Sequence, residues 1–160
     1  MAHPVSSPPH SADSTTETLV WEPLDEEIYE LSGADRKNFL NSYVTQDIKN
    51  LATDRIAAAA FLTQKGKLIS PAWVLNLPER ILLLFPRGYG AKLEAHLATY
   101  LMFANVVLKK VGGAFTSFAL QGPKARTPLE SWIEAPLSEE GRQIFHGNPE
   151  RGETLVFPDL

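Results

Sequence analysis

Leu31-Ser-Gly-Ala-Asp-Arg-Lys-Asn-Phe-Leu-Asn-Ser-Tyr-Val-Thr-Gln-Asp-Ile48, followed by Ala57-Ala-Ala-Ala-Phe-Leu-Thr-Gln-Lys-Gly-Lys-Leu-Ile69, decides the fold of this 160-residue chain. It predicts a capped helix leading into a β-hairpin. Ser32 is placed to cap the helix with Asp35 three residues on, each side chain satisfying a backbone N–H that the first turn leaves unpaired. Phe39, Leu40, Tyr43, Val44, Ile48 and Leu51 recur at three- and four-residue steps, so one face is apolar. Arg55 to Thr63 reads as a strand, turned at Gln64-Lys65-Gly66-Lys67 and answered by Leu68 to Leu77. Gly66 supplies the positive φ that such a turn requires.

Outward from this stretch the pattern stays regular. Leu19–Trp21 and Ile28–Leu31 read as short strands, and Ile81–Phe85 as a further strand ended by Pro86, which has no N–H for the ladder. Gly88–Phe103 is expected to be helical, with Leu93, Leu97, Tyr100, Leu101 and Ala104 along one side. Val106–Val111 and Phe115–Leu120 are expected strands joined by Gly112-Gly113, and Gly122-Pro123 is expected to open a third helix. Beyond Pro136, Ser138–Arg142 can start a further helical turn. Gln143–His146 and Thr154–Phe157 can be edge strands around a Gly147-Asn148-Pro149 turn. Strand pairs alternating with helices predict an α+β fold, an antiparallel sheet with helices packed on one face. Residues 1–18, rich in Pro, Ser, Thr and His without periodicity, are expected to form a disordered tail, leaving 19–160 as the domain.

Composition narrows the function. With 44% hydrophobic residues the chain can bury one ordinary core. It contains no cysteine, which excludes disulfides, a thiol nucleophile and thiolate ligation of zinc or an iron–sulfur cluster by this chain. A net charge of −4 argues against direct nucleic-acid binding through phosphate neutralisation. The basic pairs Lys65/Lys67, Lys109/Lys110 and Lys124/Arg126 read as solvated charge. The apolar runs 56–62 and 81–85 fall far short of the ~20 residues of a membrane span, and the N-terminus lacks the apolar stretch of a secretory signal. No membrane association is expected, and the expected location is the cytoplasm.

The order Gly33-Ala-Asp-Arg36, Phe39-Leu40, Val44-Thr-Gln-Asp-Ile48 and Thr63-Gln-Lys-Gly-Lys-Leu-Ile69 resembles the N-terminal part of the YgfZ family, folate-binding relatives of the glycine-cleavage T protein (aminomethyltransferase). Tyr100-Leu-Met-Phe-Ala-Asn-Val106 and Ala119-Leu-Gln-Gly-Pro123 resemble the family's next two junctions, and the likeness runs from about Leu19 to about Trp132. The resemblance implies one half of a longer fold, a reduced folate such as tetrahydrofolate as ligand, and a role in maturing iron–sulfur proteins. In the T proteins it also implies an Asp pair just after the Gly turn. Here Ser70-Pro71 stands in that place, and a hydroxyl cannot replace a carboxylate as base or as stabiliser of a developing cation. The Lys-Gly-Cys signature of the YgfZ C-terminal half is absent as well, so any iron–sulfur role is indirect.

Candidate ligand residues follow from the resemblance. Thr45, Gln46 and Asp47 sit where the family places a polar turn near its folate cavity, with Asp47 able to accept hydrogen bonds from pterin nitrogens. Equally, Thr45 can cap a second short helix whose dipole Asp47 complements. Lys65 and Lys67 can meet the glutamate tail of a folate, or form an ordinary soluble hairpin tip. Trp21, Trp73 and Trp132 read as core anchors, with Trp73 or Phe61 alternatively lining an apolar cavity for a flat heterocycle. Pro71 suggests a strand edge or a bulge. His96 reads as a boundary residue and His146 as unpartnered, neither having metal-binding company. No nucleophile elbow or phosphate loop is present.

Three functions remain open on these grounds. The first is a non-catalytic, folate-binding assistant of iron–sulfur protein maturation and, through it, of tRNA modification. The second is an interaction module whose exposed face takes a second copy or a complementing C-terminal half. An aminomethyltransferase is the third.

Overall fold

A computed structural model describes residues 20–112, 114–115, 117–122, 124–137, 144–146 and 155–156. In chain order the elements are β1 (Val20–Pro23), β2 (Glu26–Ser32), α1 (Arg36–Asn41), β3 (Arg55–Leu62), β4 (Leu68–Asn76), β5 (Arg80–Pro86), α2 (Gly90–Leu101), β6 (Val107–Lys110), β7 (Phe118–Gln121), α3 (Arg126–Ile133), β8 (Phe145–His146) and β9 (Leu155–Val156). Five strands form one antiparallel sheet in the order β3-β4-β5-β2-β6, while β1 pairs with β7 and β8 with β9. This is the α+β architecture expected, with two corrections. β6 and β7 are not partners across Gly112 but belong to different sheets. The third helix starts at Arg126, after Gly122, and Pro123 lies outside the described residues, as do the expected tail over 1–18, the turn at 147–149 and the helical turn at 138–142.

The five-strand sheet is buried on both faces. On one, Tyr29, Leu31, Phe61, Val74, Leu83 and Phe85 pack under Phe39 and Leu40 of α1 and Leu93 and Leu97 of α2. On the other, Ile28, Ile56, Leu75, Leu82 and Leu84 meet Ile144 from the segment after α3. A strand covered twice has no polar face to alternate, which is why Ile81–Phe85 is an unbroken apolar run. Both faces together place the sheet's middle strands beyond the reach of solvent.

The first helix departs from the periodicity that predicted it. α1 spans only Arg36–Asn41, its N-cap is Asp35 rather than Ser32, and Asp35 makes no side-chain cap. Ser32 closes β2 instead, and the Asp35 carboxylate accepts the N–H of Asn105 at 3.0 Å. The chain leaves the helix because the Asn41 side-chain oxygen accepts the N–H groups of Ile48 (2.8 Å) and Lys49 (3.2 Å), folding Ser42–Asp47 into a loop. Ile48 is still buried and Tyr43, Val44 and Leu51 still pack on the core, so the apolar spacing served the core without a helix.

Pro71 is accommodated by its register. Ala60, its partner on β3, directs its N–H to the Thr45 hydroxyl and its C=O to the Thr45 N–H, both 3.0 Å, away from β4. The Ala60–Pro71 pair therefore exchanges no ladder bonds, and β5 pairs with β4 only from Trp73 onward. A bulge sits alongside: Phe61 pairs with Ser70 and Leu62 with Leu68, leaving Ile69 as the extra residue.

Glu27 ties β2 to α2 and β6. Its carboxylate is nearly buried, yet it accepts the N–H groups of Gly88 (3.0 Å) and Gly90 (2.8 Å) at the helix N-terminus and the Lys110 ammonium at 2.5 Å. Tyr89, the N-cap of α2, makes no cap of its own, so Glu27 supplies it from the sheet. A Cβ on Gly90 would stand 2.5 Å from the Tyr29 hydroxyl and 2.9 Å from Glu27 Oε2. Lys110 is thus not the solvated charge the sequence suggested. Arg126, likewise, holds Glu130 at 2.8 Å and the Leu137 carbonyl.

The Lys110 hydrogen bond, chiefly, and the Gly90 N–H lower the Glu27 pKa below its ordinary 4.5, against the opposing effect of burial. A carboxylate depressed on folding stabilises the fold fully above its unfolded pKa and stops doing so as pH falls through the lower folded value. Glu27→Gln should therefore cost about 1–3 kcal/mol at neutral pH. It should also flatten the loss of stability that the wild type shows below about pH 4.5, in urea melts at stepped pH. Two glycines make a second test. At Gly33 (φ +107°) a Cβ would collide with the Asn105 carbonyl, whereas Gly66 (φ +74°) has open space around it. Gly33→Ala should cost roughly 2–4 kcal/mol and Gly66→Ala about 1 kcal/mol, and equal costs would contradict this packing.

Candidate functional site

Residues 42–45, the tip of the β3–β4 hairpin and the last turns of α2 enclose a groove. Each wall has a local cause. Thr45 is sewn to the edge of β3 by its two bonds with Ala60, Val44 bridges to Phe61, and Asn41 holds the loop closed behind them. The hairpin tip is tightened by the Thr63 hydroxyl accepting the Lys67 N–H at 3.1 Å and by the Gly66 N–H on the Thr63 carbonyl. On α2, His96 and Tyr100 are one turn apart and so share a face.

The groove has two adjoining compartments that share Thr63, Gln64, His96 and Tyr100. The inner one, about 280 Å³, adds Tyr43, Val44, Thr45 and Leu62; the outer one, about 440 Å³, adds Lys65 and Lys67. Aromatic rings line the inner wall. Tyr43 lies 4.8 Å from Tyr100 and 4.9 Å from Phe39 between ring centroids, and the His96 ring stands edge-on to both tyrosines at 6.2 and 6.0 Å. Gln64 donates to the Tyr100 hydroxyl at 3.1 Å, tying the hairpin to the helix. Burial, and then the neighbouring Tyr100, raise the Tyr43 phenol above its ordinary pKa of 10.0, so it remains a neutral hydrogen-bonding group. His96 Nε2 is sealed from solvent and has no hydrogen-bond partner among the described residues.

The residues expected at the site divide. Thr45 lines the inner compartment and Lys65 and Lys67 the outer one. Gln46 and Asp47 line neither. Asp47 accepts the Asn50 N–H at 3.2 Å and its side-chain amide at 2.7 Å, bonds that lower its pKa. There is no second helix for Thr45 to cap, so both earlier readings of this segment give way to a turn stitched to β3. Trp73 is corrected more sharply, since it packs half-buried on the sheet face opposite α1 and α2. Phe61 is wholly in the core and Trp132 is 44% exposed, so neither serves as the sequence suggested. His146 has a partner after all, Asp54 at 2.9 Å.

Tyr43, His96, Tyr100 and Gln64 were missed as site residues. The tyrosines fit the apolar periodicity and were absorbed into the core, and a histidine one turn before a tyrosine on the same helix was the available signal. Ser70, at the place of the family's carboxylate, is completely buried and donates to the Pro71 carbonyl at 2.7 Å. It presents nothing to a ligand. Among the described residues no group of three or more His, Cys, Asp or Glu could hold a metal, and no helix is long and apolar enough to cross a membrane.

Comparison with known proteins bears on this geometry. The family described as GCVT N-terminal domain matches residues 20–150. The chain is 29% identical over 136 residues to the tRNA-modifying protein YgfZ of Yersinia pestis (strain Pestoides F), covering 84% of this chain and 40% of that protein. It is 29% identical over 110 residues to an aminomethyltransferase of Exiguobacterium sibiricum, covering 68% of this chain and 30% of that protein. The glycine cleavage system aminomethyltransferase T from Bartonella henselae shares the fold, with a TM-score of 0.71 at 17% identity over 84% of this chain and 37% of that one. This chain therefore spans well under half the length of these relatives, and it belongs to the family of the GCVT N-terminal domain.

Proposed function

We propose that this chain is a YgfZ-like member of its family that holds a reduced folate in the Tyr43–Tyr100 groove. Without catalysing a reaction itself, it assists the maturation of iron–sulfur proteins and, through them, tRNA modification. The observation that carries this reading is the pairing of an aromatic-walled compartment with two lysines beside it, while the serine at the transferase carboxylate position is buried and engaged. A flat heterocycle gains stacking area against tyrosines, and an anionic tail gains charge partners at the hairpin tip. The likeness to the tRNA-modifying protein YgfZ supports the direction of the assignment. The proposed partners are iron–sulfur client proteins in the cytoplasm and a complementing C-terminal half.

Calorimetric titration with tetrahydrofolate tests the ligand. Saturable binding in the micromolar range is expected, weakened roughly tenfold by Tyr100→Ala. No heat of binding, even with a complementing C-terminal half added, would remove folate from the reading.

A specific observation favours a second role for the same domain. On the sheet face opposite α1 and α2, Ala58 and Pro71 are exposed near the half-buried Trp73, leaving that part of the face without cover from the described residues. Such a face suits a second copy of the chain or a complementing half. Sedimentation at low micromolar concentration should show a dimer if a second copy covers it, and a monomer at every concentration would leave only the complementing half.

A further inference from the structure

The groove is divided in its chemistry as well as its shape. Everything cationic borders the outer compartment, where Lys65 and Lys67 stand, and neither lysine reaches the inner one. The inner compartment offers apolar walls from Val44 and Leu62 and the rings of Tyr43 and Tyr100. His96 borders both, and its Nε2 is a polar atom shut away from water with no bond made among the described residues. An unbonded buried nitrogen is costly, and a ligand group that bonds to it recovers that cost only when bound. An anion placed in the inner compartment would lose hydration without a cation to replace it.

From this asymmetry we infer that the bound molecule is oriented, its planar heterocycle inward against Tyr43 and Tyr100 and its carboxylates outward at Lys65 and Lys67. His96 is the specificity-determining contact, bonding through Nε2 to a polar edge of the ring. The inference rests on the reading of the groove as a folate-type site and adds to it the direction of binding and the residue that reads the head. Because neutral imidazole carries its proton on either nitrogen, Nε2 can donate to a ring carbonyl or accept from a ring N–H. An apolar ring without such an edge would leave Nε2 unbonded and is rejected. A ligand lacking carboxylates would still seat its head but would lose the outer contacts.

Fragments of the ligand separate the two ends. The probes are 5-formyltetrahydrofolate, 6-methyltetrahydropterin for the head and p-aminobenzoylglutamate for the tail, titrated into the full chain. His96→Phe keeps a ring of similar size and removes the nitrogen. It should weaken 6-methyltetrahydropterin roughly tenfold or more and leave p-aminobenzoylglutamate within about twofold. Lys65→Gln combined with Lys67→Gln should do the reverse. The opposite pattern, or a His96→Phe variant that binds the head as well as wild type does, overturns the orientation. If His96→Phe does not fold, the ring-nitrogen resonances of wild-type His96 decide: a shift on adding 6-methyltetrahydropterin is expected, and unmoved resonances overturn the proposal. Binding of 5-formyltetrahydrofolate with the wrong fragment pattern defeats this inference alone, whereas failure of all three probes to bind wild type defeats the folate reading and the inference with it.

Discussion

The carboxylate of Glu27 is the contact on which the arrangement of this domain depends. It comes from β2, near the centre of the sheet, and meets the first N–H groups of α2 together with the ammonium of Lys110 on the edge strand. The helix N-terminus carries a partial positive charge and unpaired donors, so a carboxylate there satisfies both, and the lysine balances the remaining charge. One group thereby sets where α2 begins and which side of it faces the sheet. Leu93 and Leu97 follow into the core, and His96 and Tyr100 are turned toward the β3–β4 hairpin. The close approach needs a residue without a side chain at Gly90, since a Cβ would press on both Tyr29 and Glu27.

A second set of contacts brings the loop after α1 to the same place. Asn41 arrests the helix, Thr45 fastens the chain to Ala60, and the bulge at Ile69 lets β4 turn while Pro71 keeps its register. The groove is what remains between two elements fixed by unrelated interactions. Its aromatic wall and cationic rim come from three separate parts of the sequence, and its polar asymmetry follows from the hairpin tip being the only one of the three that projects lysines into it. Ser70, by contrast, is directed into the core by strand alternation, so the serine at the carboxylate position of the transferases is removed from any ligand by the same pleat that orders the sheet.

The hairpin, the strand of five apolar residues and the second helix were legible in the chain because each has a local cause: a glycine able to take positive φ, a run buried on both faces, and a repeat of 3.6. The first helix was not, because apolar spacing from Phe39 to Leu51 is satisfied equally by a short helix and a loop packed on the core, and the Asn41 bonds that decide between them join residues whose proximity spacing does not reveal. Lys110 and His146 were read as solvated or unpartnered for the same reason, their partners Glu27 and Asp54 lying 83 and 92 residues away. At the site, Thr45, Lys65 and Lys67 were found through the order of the motifs, while Tyr43 and Tyr100 were hidden by their apolar bodies.

By itself the sequence determined the α+β class, the family, the absence of any cysteine chemistry and the loss of the transferase carboxylate, since each is a matter of residue type and order along the chain. The tertiary structure alone decided that Trp73 lies on the far side of the sheet, that His96 is sealed against two tyrosines, and that the lysines border one end of the groove. Those facts depend on which face of an element meets which neighbour, and that is settled by long-range bonds such as Glu27 to α2, which local pattern does not encode.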